Sequence, residues 1–326
     1  MSATEKSGAL RTLGAFVRNY LLVVLIAALV ILTAIVEPRF VSAQNLINLM
    51  RQFGPLIMVS LGMTFVIIGG FIDLSVAGII NFVAVVTISM IQVLGQVPAL
   101  FVGLVLGAAC GAMNSVVILS SGALTQAEAL FMTFGMSTVY SALALLYSHG
   151  STMHFWDIDK SKSIFEAIGA GKVGPASVSF LIFLFFLLLL WIFQAKTTEG
   201  RSIRLTGGNK VAAELVGVRI RRSIVVIYTL GGFMAGVGAI VLFSRITTAA
   251  PVIGAGFETN AILAVVVGGT TLKGGNGSVL RTVLGVLLII LMSNCLNLLG
   301  VSPYMQVVAK GAILVFAIWL DNRKQV

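Results

Sequence analysis

The chain reads as an all-α, polytopic membrane protein with about ten transmembrane helices, and three observations carry that expectation. Of its 326 residues, 58 % are hydrophobic and only 10 % are charged, whereas an ordinary soluble domain carries roughly a quarter charged residues. The mean hydropathy is +1.07. Apolar runs long enough to cross a bilayer follow one another with short polar gaps between them. So few charges cannot coat a globular surface of this size, and so much apolar surface cannot fit a single soluble core. A soluble enzyme and a disordered chain are both excluded.

A spanning helix needs about 20 mainly apolar residues. Candidates lie near 19–36, 53–70, 75–95, 97–119, 126–147, 176–195, 223–243, 258–272, 279–299 and 303–320. The first is no removable signal peptide, because Glu37-Pro38-Arg39-Phe40 stands where a small-residue cleavage site belongs. The run from Phe180 to Phe193, almost all Leu and Phe, is the clearest. The stretch 258–272 is the shortest and reads as a span of little tilt or a partly re-entrant one. The whole of 1–326 reads as one transmembrane domain.

The net charge of +10 follows the gaps between these runs. Lys6, Arg11 and Arg18 precede the first, and Arg323 and Lys324 follow the last. Lys196, Arg201, Arg204, Lys210, Arg219, Arg221 and Arg222 crowd the loop 196–222. With ten crossings all three clusters fall on one side, the cytoplasm, because Lys and Arg resist translocation. The loop 148–175, where Lys160, Lys162 and Lys172 balance Asp157, Asp159 and Glu166, falls outside. The charge therefore reports topology in a lipid bilayer, and nucleic acid is not expected as a partner.

Gly103, Gly107 and Gly111 recur four apart, as do Gly232 and Gly236. Small residues at that spacing let helix backbones touch where lipid removes the hydrophobic drive, so they predict close packing within the chain. A faint echo links Phe65-Val66-Ile67-Ile68-Gly69-Gly70 to Ala264-Val265-Val266-Val267-Gly268-Gly269 and hints at an internal repeat. Cys110 and Cys295 sit in apolar segments without metal spacing and read as small buried hydrophobes.

Polar groups at membrane depth are few. Asp73, ahead of Leu74-Ser75, either caps the next helix by accepting its orphan N–H groups or contacts a solute, and the cap is preferred. Glu128 and Glu258 stand near segment starts, where the helix dipole favours an acid. Lys310 pairs with a neighbour or snorkels, and Arg245 is an anchor or a gate. No ladder of Asp, Glu and His crosses the chain, and no metal-binding spacing, His-Glu-x-x-His or Gly-x-Ser-x-Gly stands in it. No catalytic residue, metal or cofactor is expected. The phosphate-binding Gly-x-x-x-x-Gly-Lys-Ser/Thr loop is missing as well, so the chain does not hydrolyse ATP by that route.

The loop 196–222 is more than an anchor for topology. From Asn209 to Leu215 its composition favours a helix of about two turns, with Asn209 as N-cap and Gly217 as the C′ stop. Composition alone leaves two readings, a solvated basic loop or a docking element for a soluble protein.

The loop, from Thr198-Glu199-Gly200-Arg201 to Gly207-Gly208-Asn209-Lys210-Val211-Ala212-Ala213-Glu214-Leu215-Val216-Gly217-Val218, resembles the coupling segment of the ribose-type ABC importer permeases. Three further stretches resemble that family. They are Gly69-Gly70-Phe71-Ile72-Asp73-Leu74-Ser75-Val76, the run Ala261 to Gly275 with its Gly268-Gly269-Thr270-Thr271, and the run Asn294 to Tyr304. Two departures stand out: Phe71 is an added residue, which would rotate the residues after it by about 100° if helical, and 126–135 lacks the family's proline and carries Glu128 instead.

The resemblance implies the permease of a bacterial inner-membrane importer, with both termini cytoplasmic. It would work with a second permease subunit (a copy or a paralogue), ATP-binding ABC ATPase subunits, and a periplasmic solute-binding protein. The solute class implied is a monosaccharide or related sugar. The coupling residues carried over are Gly207, Gly208, Asn209, Ala212, Ala213, Glu214 and Gly217, whose small members leave room for a partner's groove. Asp73, Asn81, Asn114, Thr133, Ser137, Asn294 and Asn297 are the pathway candidates, since hydroxyl-rich solutes need hydrogen-bonding side chains. The rival reading is an ion-coupled secondary transporter or channel working through Asp73, Glu128 or Glu258.

Overall fold

The computed structural model describes residues 21–155 and 164–323. Lys6, Arg11, Arg18, Asp157, Asp159, Lys160, Lys162 and Lys324 lie outside the described residues. Every expected segment is a helix: α1 (Leu21–Val36), α2 (Ala43–Ile68), α3 (Val76–Leu94), α4 (Gln96–Ser121) and α5 (Gln126–Ser148), then α7 (Val178–Lys196), α10 (Ile220–Ile246), α11 (Phe257–Val267), α12 (Val279–Leu298) and α13 (Pro303–Arg323). Between them stand α6 (Ile164–Ala170), α8 (Thr198–Gly208) and α9 (Lys210–Leu215). Among the described residues, seven helices are long and apolar enough to cross a membrane, α2, α3, α4, α5, α7, α10 and α12, while the apolar stretches of α1, α11 and α13 are shorter. The protein is a polytopic, all-α membrane protein.

Some boundaries differ from the expectation for physical reasons. α2 begins ten residues before 53, because the Ser42 hydroxyl accepts from the Asn45 N–H at 3.3 Å and caps it. Arg51, inside this helix, donates to the Ala170 carbonyl. The short α11 is preceded by a chain segment that dips into the bundle. The Gly254 N–H donates to Asn81 Oδ1 at 2.7 Å, and a Cβ on Gly254 would meet Ile80 at 2.9 Å. α11 thus begins against the first turns of α3, in keeping with a partly re-entrant stretch.

The links between helices collect at two ends. One end, called here the basic end, holds 69–75, 122–125, 197–219 and 268–278. The other holds 149–155 and 164–177 with α6, and 247–256. There the strand Met153–His154 pairs with Thr248–Ala249, and Lys172–Val173 with Ala176–Ser177. The core runs along α2 and α10, which pack on each other, and α10 packs most extensively on α4. That contact uses the glycines spaced four apart. A Cβ on Gly107 would come within 2.9 Å of Gly236 Cα, and one on Gly111 within 3.0 Å of Gly232 Cα. The two helices touch backbone to backbone, so the spacing serves packing within the chain.

Candidate functional site

At the basic end the segment after α7 folds into two successive helices. Thr197 Oγ1 accepts from the Gly200 N–H at 3.0 Å and starts α8, a helix the glycine and threonine content had hidden. Asn209 Oδ1 then accepts from the Ala212 N–H at 3.0 Å and starts α9. α9 ends where Gly217 adopts φ +86°. The Gly217 N–H donates to Glu214 O and the Val218 N–H to Ala213 O, both at 2.9 Å, the bond pair of a Schellman stop. Cap, helix and stop stand where the sequence reading put them.

The facing of α9 differs from the expectation. Ala213 is only 2 % exposed and packs into the protein's own core, so the outward face of α9 is carried by other residues. The surface offered outward is apolar: Val211 is 70 % exposed, Leu215 84 % and Val216 72 %. Ala212 and Glu214 are exposed as well.

Glycines at 69–70, 207–208 and 274–275 bring this segment against the rest of the bundle. α2 ends at Gly69-Gly70 and α11 at Gly268-Gly269, with matching geometry. Gly70 (φ +79°) donates to Ile67 O and Phe71 to Val66 O, just as Gly269 (φ +89°) donates to Val266 O and Thr270 to Val265 O. The faint repeat in sequence is thus the same helix stop built twice. Past the second stop, the Gly275 N–H donates to Ile68 O at 2.8 Å, tying the two stops together. Gly207, at the end of α8, lies in the same place. A Cβ on it would fall on the Ile68 carbonyl and 2.7 Å from Gly275 N, while a Cβ on Gly274 would lie 2.7 Å from Gly70 Cα and 2.8 Å from Gly207 O. Backbone meets backbone among all three segments, which only glycine permits here.

Side chains reinforce the junction. Lys210, the first residue of α9, holds its ammonium 4.1 Å from the centre of the Phe71 ring and donates to the Leu124 carbonyl. Burial holds its pKa below the usual lysine value, and Glu128 opposes that shift. Arg204 donates to Gly277 O at 3.3 Å, and Gln126 to Leu272 O at 2.7 Å. Phe71 is fully buried and lies 5.9 Å, ring to ring, from Tyr228 of α10. Since 71–74 is not helical, Phe71 lies in the link, and the helical rotation expected of it does not arise.

Just beyond Phe71 three of the pathway candidates meet. Asp73, buried completely, accepts at Oδ1 from the Ser75 N–H (2.8 Å) and hydroxyl (2.6 Å), while its Oδ2 has no hydrogen bond among the described residues. Asn114 Nδ2 donates to Ser75 Oγ at 2.6 Å, and the Tyr140 hydroxyl lies 3.0 Å from Asn114 Oδ1. Thr133 Oγ1 accepts from the Leu74 N–H at 3.0 Å. Asp73 therefore organises the turn before α3 and links it to α4 and α5.

The remaining candidates lie elsewhere. Asn81 donates to Ser141 Oγ at 3.1 Å while accepting from Gly254. Asn294 and Asn45 exchange two amide hydrogen bonds of 2.9 Å. Asn297 accepts from Gln306 Nε2 at 2.7 Å. Ser137 is half-buried on α5, with its carbonyl against Gly78 of α3. Glu128 forms a capping box with Thr125 at the start of α5, and Glu258 sits in the first turn of α11.

Among the described residues, the bundle of apolar spans carries at its basic end a short helix, α9, that turns apolar side chains outward. The family described as "branched-chain amino acid transport system / permease component" matches residues 45–318, and the chain belongs to it. It is 32 % identical to the ribose import permease protein of Escherichia coli K12 over 304 residues, 91 % of this chain and 92 % of that one. It is 34 % identical to the ribose import permease protein of Bacillus subtilis over 318 residues, 97 % and 94 % of the two chains. The L-arabinose transport system permease protein of E. coli K12 is 34 % identical over 334 residues, covering 99 % of this chain and 97 % of that one. No solved structure matches the chain.

Proposed function

We propose that the chain is the permease subunit of a bacterial ABC importer for a small sugar, a pentose or similar monosaccharide. The single observation that carries the ATP-driven part is α9: a short helix, capped and stopped, that turns Val211, Leu215 and Val216 toward solvent at the basic end. Exposed apolar side chains on a helix outside the spans call for a soluble partner. The ATP-binding subunits bind the nucleotide and dock there, the basic end faces the cytoplasm of the inner membrane, and a periplasmic binding protein loads the opposite end. Two permease subunits form the pathway, and 1–326 acts as one domain. The sugar assignment rests on relatives that carry ribose and arabinose in their names.

Among the pathway candidates, Asp73, Asn81, Asn114, Thr133, Asn294 and Asn297 spend hydrogen bonds on the protein itself. This supports a role in fixing the pathway walls and leaves Ser137 for direct contact with the sugar. The test is docking. Leu215→Asp and Val216→Asp should leave membrane abundance unchanged, because neither side chain packs in the fold, yet abolish copurification of the ATPase. Wild-type copurification of both variants would overturn the assignment.

A further inference from the structure

The geometry points to Lys210 and Phe71 as a positioning pair that transmits movement of α9 into the membrane. The inference rests on the docking of the ATPase at α9. Any displacement of α9 by a partner must reach the spans through contacts, and α9 is short and exposed on most of its surface. Ala213 packs into the core, and Lys210, the first residue, reaches across to two separate links. The Lys210 ammonium sits over the Phe71 ring and bonds the Leu124 carbonyl, so one side chain grips the α2–α3 link and the α4–α5 turn together.

Phe71 is suited to passing that grip on. It is fully buried, its ring packs toward the buried Tyr228 of α10, and its N–H is fixed to Val66 O at 3.1 Å. Two residues later Asp73 holds the start of α3 through Ser75, and Ser75 is bonded to Asn114 of α4. A shift of Lys210 therefore acts through one ring on α10 and through one turn on α3 and α4. The glycine junction beside it supplies contact without a side chain to grip. The attraction of a half-buried ammonium for a ring face supplies a directional link.

The test is the ratio of sugar taken up to ATP hydrolysed by the assembled importer in liposomes. The variants are Lys210→Met, which keeps the stem and loses the charge; Lys210→Arg, which keeps the charge; and Phe71→Leu, which keeps apolar volume and loses the ring. Lys210→Met and Phe71→Leu should copurify with the ATPase and hydrolyse ATP, while uptake per ATP falls about tenfold. Lys210→Arg should stay within about twofold of wild type. An unchanged ratio in Lys210→Met, or an equal fall in Lys210→Arg, would overturn the strut. A failure of the docking reading looks different, since the wild-type permease would then neither hold the ATPase nor need ATP.

Discussion

Gly207 and Gly208 are neighbours at the end of α8, yet the structure assigns them opposite sensitivities. A Cβ on Gly207 would overlap the Ile68 carbonyl and crowd Gly275 N at 2.7 Å, whereas one on Gly208 would meet only Gly275 Cα at 3.9 Å. Overpacking of this kind costs about 1–3 kcal/mol. Displacing the Ile68 carbonyl also weakens the bond it accepts from Gly275 at 2.8 Å, worth about 0.5–1.5 kcal/mol. The gain in helix propensity from alanine returns at most about 1 kcal/mol. Gly207→Ala should therefore lose about 0.5–3.5 kcal/mol net, and Gly208→Ala should be neutral or slightly stabilised. Detergent-denaturant titration of the two purified variants, followed by helical circular dichroism, measures the difference. Equal midpoints for Gly207→Ala and Gly208→Ala would refute the backbone junction.

Asp73→Asn keeps an oxygen acceptor for the Ser75 N–H and hydroxyl, so uptake should persist at normal membrane abundance; loss of uptake would reveal a need for the charge and strengthen the ion-coupled rival. Asn294→Ala leaves Asn45 Oδ1 without its donor, while Asn45 Nδ2 keeps its bond to the Phe40 carbonyl, and should cost about 1–3 kcal/mol of stability. The double variant Asn45→Ala/Asn294→Ala should recover part of that loss, and a strictly additive result in the same titration would argue against the pair.

The local features of this chain were legible because local chemistry decides them. Asn209 and Gly217 bracket α9 through bonds spanning three to five residues, and the glycines four apart on α4 and α10 have few uses in lipid besides close packing. The twin helix stops at Gly70 and Gly269 were visible as a repeated apolar run before two glycines. What remained hidden depends on which side an element turns or on distant partners. A two-turn helix does not reveal from its sequence that Ala213 faces inward while Leu215 and Val216 face out. Asn294 reads as a free hydrogen-bonding side chain until Asn45, 249 positions away, is brought beside it. Phe71 looked like an insertion that would rotate a helix, and it became a buried ring in a non-helical link.

The most direct measurement is uptake of labelled ribose and arabinose by liposomes that hold the permease, with and without its ATPase subunits, the sugar-binding protein and internal or external ATP. An ATP-driven importer takes up sugar only when all components are present and ATP is on the side of α9. Uptake by the permease alone, following an imposed proton or sodium gradient and indifferent to ATP, would contradict the assignment.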